Sequence, residues 1–247
     1  MSIPIGAQLY TTRKLMQTPE GIEKTLTRVA DIGYEYIQCS GFQYDAAWLR
    51  ALCDRLGLKI RLTHGSDILG DTQAVIERHK ILGCPYVGTG GMPGEYRVPG
   101  GARKFLQDYR PAMEAFAEAG LKFQYHNHAW EFARFGGERF YDVLVNESDP
   151  ALLGFTLDVY WAQYAGLDVA DLIRKLKGRI DVCHYKDMAI VENEQRFAAI
   201  GQGNMNWPAI IAAFEEIGME YAFVELDNCF EKDPFDELAV SYKFLTA

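Results

Sequence analysis

Short apolar runs alternate along the chain with segments of helical periodicity. The runs are typical of buried strands, and the intervening segments repeat their apolar residues at the spacing of one helix face. The predicted strands are Ile3–Leu9, Tyr34–Ser40, Lys59–His64, Pro85–Thr89, Lys122–His128, Leu153–Tyr160, Asp181–Lys186 and Tyr221–Asp227. The predicted helices are Pro19–Ile32, Ala46–Leu56, Thr72–Leu82, Ala102–Ala119, Asp168–Leu176, Pro208–Ile217 and Phe235–Leu245, with a weaker helix over Arg139–Val145. The pattern predicts eight strand-then-helix units.

Glycine recurs directly after predicted helices, at Gly33, Gly57, Gly83, Gly120 and Gly218. Glycine accepts the left-handed conformation that ends a helix, so the chain can turn at once into the next strand. Eight alternations with no linker favour a closed (β/α)8 barrel of the α/β class, formed by residues 1–247 as a single domain. The alternative is an open doubly wound sheet, which lacks support because no Gly-x-Gly-x-x-Gly follows the first strand.

The two kinds of connection differ in length. Most helix-to-strand joints take one to three residues, whereas the strand-to-helix segments Gly88–Gly101, Ala129–Glu138 and Ala189–Asn206 are long. In a barrel, strand-to-helix loops lie at the carboxyl ends of the strands, where active sites form. We therefore expect a functional site at that face.

Composition narrows the class of protein. The chain has 247 residues, of which 49% are hydrophobic, and no apolar stretch approaches the roughly 20 residues that span a bilayer. Its five scattered cysteines lack Cys-x-x-Cys spacing, which predicts reduced thiols in a cytoplasmic protein. A net charge of −9 without a basic run argues against nucleic acid as a partner and favours a small, non-phosphorylated substrate.

Four apolar runs in the second half of the chain end on side chains that bind metals. They end in His126-Asn-His128, Asp158, His184-Tyr-Lys186 and Glu225-Leu-Asp227. Residues two apart on a strand share a face, so each pair can lean toward the same rim. Imidazole and carboxylate together suit one Mn²⁺, Zn²⁺, Co²⁺ or Fe²⁺ ion, and Mg²⁺ less well. The predicted cofactor is therefore one divalent metal ion.

Several motifs together resemble one family. They are Gln8-Leu-Tyr-Thr-Thr-Arg13, Tyr125-His-Asn-His128 with Glu131-Phe132, Leu157-Asp158, His184-Tyr-Lys-Asp187, Ile200-Gly-Gln-Gly203 with Trp207, and Val224-Glu225. This set resembles the xylose isomerase-like TIM barrel superfamily, in particular its sugar phosphate isomerase/epimerase group with inosose dehydratase-like members. The resemblance implies that His126, Asp158, His184 and Glu225 hold the metal. It also allows a homodimer.

The resemblance implies chemistry beside a carbonyl group of a sugar or cyclitol: aldose–ketose isomerisation, epimerisation or dehydration. Ketose epimerases of the superfamily place a carboxylate on the fifth strand, whereas this chain has His126 there. His128 is a rival ligand on the same face, and Glu131 is a candidate ligand or base. The fourth ligand therefore stays open among these three residues.

Further roles follow for the neighbouring side chains. Glu225 is the candidate base for the carbon-bound proton, and Lys186 either stabilises an oxyanion or pairs with Asp187. The catalytic candidates are Glu225, Glu131 and Lys186, and the candidate substrate contacts are Tyr10, Arg13, His64, His128 and Trp161. Trp207 precedes Pro208 at a helix start and is expected to pack rather than to bind substrate.

Two other functions compete with a sugar isomerase, epimerase or dehydratase. Abasic-site endonucleases share the superfamily's barrel, but they combine a multi-zinc site with basic loops, which the net charge of −9 opposes. A barrel that binds a sugar or a protein without catalysis is the third reading. The sequence favours the metal-dependent isomerase or epimerase and leaves the sugar unnamed.

Overall fold

The computed structural model describes residues 3–65 and 68–247 and closes eight parallel strands into a barrel. Each strand pairs with the next one along the chain, and the last pairs with the first. The strands are β1 Ile5–Gln8, β2 Tyr36–Cys39, β3 Lys59–His64, β4 Tyr86–Thr89, β5 Lys122–His126, β6 Leu153–Asp158, β7 Ile180–Tyr185 and β8 Tyr221–Val224. The predicted closed (β/α)8 barrel is confirmed.

Helices connect the strands. They are α1 Pro19–Ile32, α2 Ala46–Leu56, α3 Thr72–Leu82, α4 Gly101–Glu118, α5 Phe140–Glu147, α6 Val159–Tyr164, α7 Val169–Lys175, α8 Trp207–Ile217 and α9 Pro234–Leu245. Several begin after a side chain that accepts a backbone N–H, as Asp45 does from Trp48 at 2.8 Å. Within the described ranges, no helix has both the length and the apolar character needed to cross a bilayer.

Six of the eight strands end one to three residues earlier than predicted, and at β1 and β6 a polar side chain starts the helix that follows. The Gln8 side-chain oxygen, Oε1, accepts from the Tyr10 N–H at 3.0 Å, and a 3₁₀ helix over Leu9–Leu15 follows. Asp158 caps α6 by accepting from the Trp161 N–H at 3.2 Å, so β6 stops before Val159. The largest difference is at β8, which ends at Val224 and not at Asp227. These endings place Asp158 and Glu225 at the barrel rim.

The predicted glycine turns are present. Gly33, Gly57, Gly83 and Gly218 each follow a helix with a positive φ, between 64° and 116°. A side chain with a Cβ rarely adopts that conformation, so glycine allows the direct turn into the next strand. The short joints hold the strands close to the helices on one end of the barrel and leave the long loops to the other end.

The segment predicted as a long loop after β7 contains an antiparallel hairpin of Asp187–Val191 and Glu194–Ala198, here called the long hairpin. Asp187 is completely buried and lies at the base of this hairpin. One carboxylate oxygen accepts from the N–H groups of Gly201 and Gly203 at 2.9 and 3.0 Å and from the Trp207 indole at 2.8 Å. The Gly-x-Gly amides therefore bind an internal carboxylate, and Trp207 packs as expected, buried at the start of α8.

The barrel interior changes from apolar to polar along the strands. Leu62, Tyr86, Val182 and Phe223 form a buried apolar cluster inside the barrel. Two residues further along the same strands stand His64, His184 and Glu225, because alternate residues of a strand share a face. A buried apolar layer inside the barrel therefore lies directly beneath a layer of ionisable groups.

Candidate metal centre and active site

Four buried side chains meet at the carboxyl ends of β5 to β8. His126, Asp158, His184 and Glu225 each offer one ligand atom, and the four atoms lie within 4.8 Å of one another. These residues are here called the four-residue cluster. Asp158 Oδ2 lies 3.2 Å from His126 Nε2 and 3.7 Å from His184 Nδ1, and Glu225 Oε2 lies 2.8 Å from that Nδ1 atom. Consecutive strands thus deliver alternating imidazole and carboxylate groups to one point.

Neighbouring groups fix the orientation of three cluster members. The Gln38 side-chain oxygen accepts from His184 Nε2 at 2.7 Å, which leaves His184 Nδ1 facing the cluster. His126 Nδ1 lies 3.3 Å from the Gly90 carbonyl, so its Nε2 faces Asp158. Asn127 accepts from the Asp158 N–H at 3.0 Å through Oδ1. Such outer contacts set the tautomer and direction of ligand side chains.

The donor set and its spacing fit a divalent cation. His184 Nδ1 and Glu225 Oε2 are buried and, within the described part of the chain, make no aligned hydrogen bond although they lie 2.8 Å apart. Nitrogen and oxygen ligands bind zinc-like ions at roughly 2.0–2.2 Å, which separates neighbouring ligand atoms by about 3 Å. Three of the separations, 2.8, 3.2 and 3.7 Å, are close to that value, and all four atoms lie within 4.8 Å of one another. The cluster can therefore hold a metal through these four atoms.

A lysine stands against the same carboxylates. Lys186 is 1% exposed, and its Nζ lies 2.9 Å from Asp158 Oδ2, 2.9 Å from Glu225 Oε2 and 3.0 Å from Asp227 Oδ1. The expected alternative pairing of Lys186 with Asp187 is wrong, because Asp187 points to the base of the long hairpin instead. The Lys186 side chain therefore points from the end of β7 toward the four-residue cluster.

Burial and neighbouring charges oppose each other in this group. Burial alone would raise the pKa of Asp158 and of Glu225, but the Lys186 ammonium and the adjacent histidines bring both pKa values below their ordinary range. Burial would lower the pKa of Lys186, yet the three carboxylates hold that pKa well above the usual value. Asp158 and Glu225 are therefore ionised and Lys186 is charged at neutral pH. Burial, with Glu225 nearby, raises the pKa of Asp227 to about 6 despite Lys186.

Two further histidines border the cluster. The His64 ring centre lies 5.3 Å from that of His126 and 5.5 Å from that of His184, and burial followed by these two rings lowers the pKa of His64. His128 packs edge-on against His126, with 4.8 Å between ring centres, and lies 5.5 Å from the Trp161 ring. His64 Nε2 and His128 Nδ1 are buried without a hydrogen-bond partner in the described ranges. Both rings therefore border the cluster, and Trp161 lies next to His128.

Glu131 stands apart from the cluster. Its carboxylate accepts from the Tyr125 hydroxyl at 2.9 Å and from the His128 N–H at 2.8 Å. Tyr125 packs against Phe105 and Phe155 in the layer between barrel and helices. Burial raises the pKa of Glu131 to about 7. Both carboxylate oxygens of Glu131 thus accept hydrogen bonds from β5 and the turn that follows it. The four atoms that converge include none from Glu131 or His128.

Tyr10 and Arg13 lie near the first strand. The Arg13 guanidinium stacks 3.8 Å from the centre of the Tyr10 ring and donates to the carbonyls of Tyr10, at 2.6 Å, and Asp227, at 3.0 Å. Arg13 therefore braces the segment that carries Asp227. Whether it or Tyr10 contacts a substrate stays a prediction.

Gln38 and Asn127 are functional candidates that the sequence patterns did not indicate. Gln38 interrupts the apolar run of β2 and is completely buried, and Asn127 separates the two histidines after β5. A polar residue at an inward position of a buried strand is the one signal that could have indicated Gln38. Its partner His184 lies 146 residues away, so no local pattern could reveal the contact.

Comparison with known proteins agrees with this architecture. Residues 26–241 match the family model described as xylose isomerase-like TIM barrel. A sugar phosphate isomerase/epimerase from Parabacteroides distasonis shares the fold at 23% identity and a TM-score of 0.83, over 98% of this chain and 97% of that one. No curated protein matches the sequence.

Two other solved structures share the fold. L-ribulose 3-epimerase is similar at 16% identity and a TM-score of 0.75, over 100% of this chain and 94% of that one. The probable 3-DHS dehydratase AsbF from Bacillus anthracis is similar at 15% identity and a TM-score of 0.76, over 100% of this chain and 99% of that one. At these identities the likeness shows the fold alone. With the family model matched across most of its length, the chain belongs to the xylose isomerase-like TIM barrel family.

Proposed function

We propose that this protein is a metal-dependent enzyme that moves a proton beside the carbonyl group of a sugar or cyclitol, as an isomerase or epimerase. The convergence of His126, Asp158, His184 and Glu225 at one barrel rim supports the proposal. A divalent ion bound there would act as a Lewis acid toward a carbonyl and its neighbouring hydroxyl. Mn²⁺, Zn²⁺, Co²⁺ and Fe²⁺ suit two imidazoles and two carboxylates better than Mg²⁺ does.

Two residues on adjacent strands are positioned to handle the proton. Glu225 is ionised at the rim of β8 and can accept a carbon-bound proton. Lys186, 2.9 Å from Glu225, can stabilise negative charge that develops on a substrate oxygen. His64 and His128 border the cluster, and Trp161 lies next to His128. These residues would orient a polyol and exclude water from it.

Dehydration is the second candidate, and the placement of Lys186 beside Glu225 is the observation that supports it. Epimerisation with two bases needs an acid/base group on each face of the carbon. Glu225 and Lys186 stand side by side, and β5 brings an imidazole, His126, where a second carboxylate would be required. A base and an ammonium on one side can remove a proton and protonate a departing hydroxyl.

The test is a panel of keto-sugars and keto-cyclitols incubated with Mn²⁺-loaded protein in D₂O. We expect deuterium at the carbon beside the carbonyl, read by mass spectrometry and NMR, and an enone absorbance if water is lost. Glu225→Gln, prepared in the same way, reports contaminating activity and should abolish exchange. Metal-loaded protein that neither exchanges nor dehydrates any member of the panel would contradict the proposal.

A further inference from the structure

We propose that Lys186 is an internal counter-ion that competes with the divalent cation for two ligand oxygens and so lowers the affinity of the site for metal. This inference rests on the proposed metal centre. The ammonium lies 2.9 Å from Asp158 Oδ2 and 2.9 Å from Glu225 Oε2. The same two oxygens belong to the four-residue cluster. A cation held by the cluster would therefore share its oxygens with a second positive charge.

The surroundings of Lys186 keep this charge in place. Nζ contacts both Asp227 oxygens, at 3.0 and 3.1 Å, while the Arg13 side chain holds the Asp227 carbonyl. The rings of Trp161 and Phe197 lie 5.8 Å from Nζ. With three carboxylates around it and 1% of its surface exposed, the ammonium is almost entirely shielded from bulk water. Asp227 thus holds the ammonium beside the two ligand oxygens.

Charge balance explains why such a lysine is useful. Asp158, Glu225 and Asp227 converge within hydrogen-bond distance of one ammonium, and buried carboxylates without a counter-ion repel one another strongly. Lys186 supplies that counter-ion when no metal is bound. The same charge then opposes metal binding, since two cations a few ångströms apart are poorly screened in a buried site. Stability without metal and affinity for metal are therefore coupled through one residue.

The test compares Mn²⁺ binding by calorimetry, at pH 7.5, in wild-type protein and Lys186→Met. Removal of the ammonium should tighten Mn²⁺ binding by at least about tenfold, because a repulsive charge leaves a buried site. Without metal the variant should melt at a lower temperature than wild type, and Mn²⁺ should raise its melting temperature more. Lys122→Met is the matched control, since Lys122 pairs with Asp181 on β7 at the opposite end of the barrel. It should bind Mn²⁺ as wild type does.

Lys186→Gln provides a second variant that removes the charge but keeps a polar side chain. It should also tighten Mn²⁺ binding several-fold, because no ammonium remains beside the two ligand oxygens. Binding by Lys186→Met that stays within twofold of wild type, or equal tightening in Lys122→Met, would overturn the inference. If Lys186→Met does not fold, Lys186→Gln decides alone, and binding within twofold of wild type overturns the inference. Failure of every protein, wild type included, to bind any divalent ion would instead remove the proposed metal centre itself.

Discussion

Neighbouring residues determine the orientation of the individual side chains in this site. Gln38 selects which nitrogen of His184 faces the four-residue cluster, and Asn127 ties the Asp158 backbone to the turn after β5. Outer contacts of this kind often change metal affinity by about 10- to 100-fold when removed. The side chains that could bind metal and those that orient them therefore form one unit.

His79, outside the site, gives a residue-scale prediction about pH. It is 1% exposed and lies 2.8 Å from the Thr63 hydroxyl, and burial lowers its pKa to about 4 despite a contact with the Val75 carbonyl. The unfolded chain binds a proton below an ordinary pKa of 6.5, whereas the folded protein does not until about pH 4. The contribution of neutral His79 to the free energy of unfolding is therefore fully present above pH 6.5 and is lost as the pH drops toward 4.

The expected loss through His79 between pH 8 and pH 5 is about 2 kcal/mol of unfolding free energy. Urea unfolding of wild type and His79→Gln at both values measures it, because other titrating groups affect the two proteins equally. The variant should lose less stability than wild type over this interval. Equal losses in both proteins would show that His79 is not the group responsible.

At the scale of elements, Asp187 connects the end of β7 to the segment that leads into α8. Its carboxylate accepts from Gly201, Gly203, Met205 and the Trp207 indole, and a Cβ at Gly203 would stand 2.3 Å from it. Asp187→Asn would turn an N–H group toward these donors. We expect about 3 kcal/mol lower unfolding free energy, since several buried donors lose their acceptor.

Asp171→Asn is the control for this change. Asp171 pairs with Lys175 on the exposed side of α7 and should contribute less than about 1 kcal/mol. Urea unfolding of both variants, with limited proteolysis to follow opening of the long hairpin, tests the role of Asp187. A loss in Asp187→Asn no larger than that in Asp171→Asn would contradict it.

The elements themselves could largely be predicted, because apolar periodicity and glycine turns are local signals. The barrel strands and most helix limits follow from them, as in α3 at Thr72–Leu82. The long hairpin could not be predicted, since Asp187 stabilises it through contacts with residues up to 20 positions away. The ends of β1 and β6 moved for a related reason: Gln8 and Asp158 use their side chains to bind the backbone. Pattern alone does not separate such residues from strand residues.

For the whole molecule, the barrel explains why residues far apart in sequence form one site. Parallel strands present their carboxyl ends on one face, so four consecutive strand ends meet without any special loop. The choice of His126 over His128 and Glu131 depended on side-chain direction, which the sequence left open. Organisation as a single domain, association as a homodimer and cytoplasmic location stay predictions.

The most direct test of the central claim is the metal content of the purified protein. Wild type loaded with Mn²⁺ and freed of excess ion should retain one divalent ion per chain by mass spectrometry of the elements. Asp158→Asn should retain very little, since Asp158 Oδ2 lies among the four converging atoms. Asp181→Asn, at the opposite end of the barrel, should retain as much as wild type. Wild type without bound metal, or full retention by Asp158→Asn, would contradict the account.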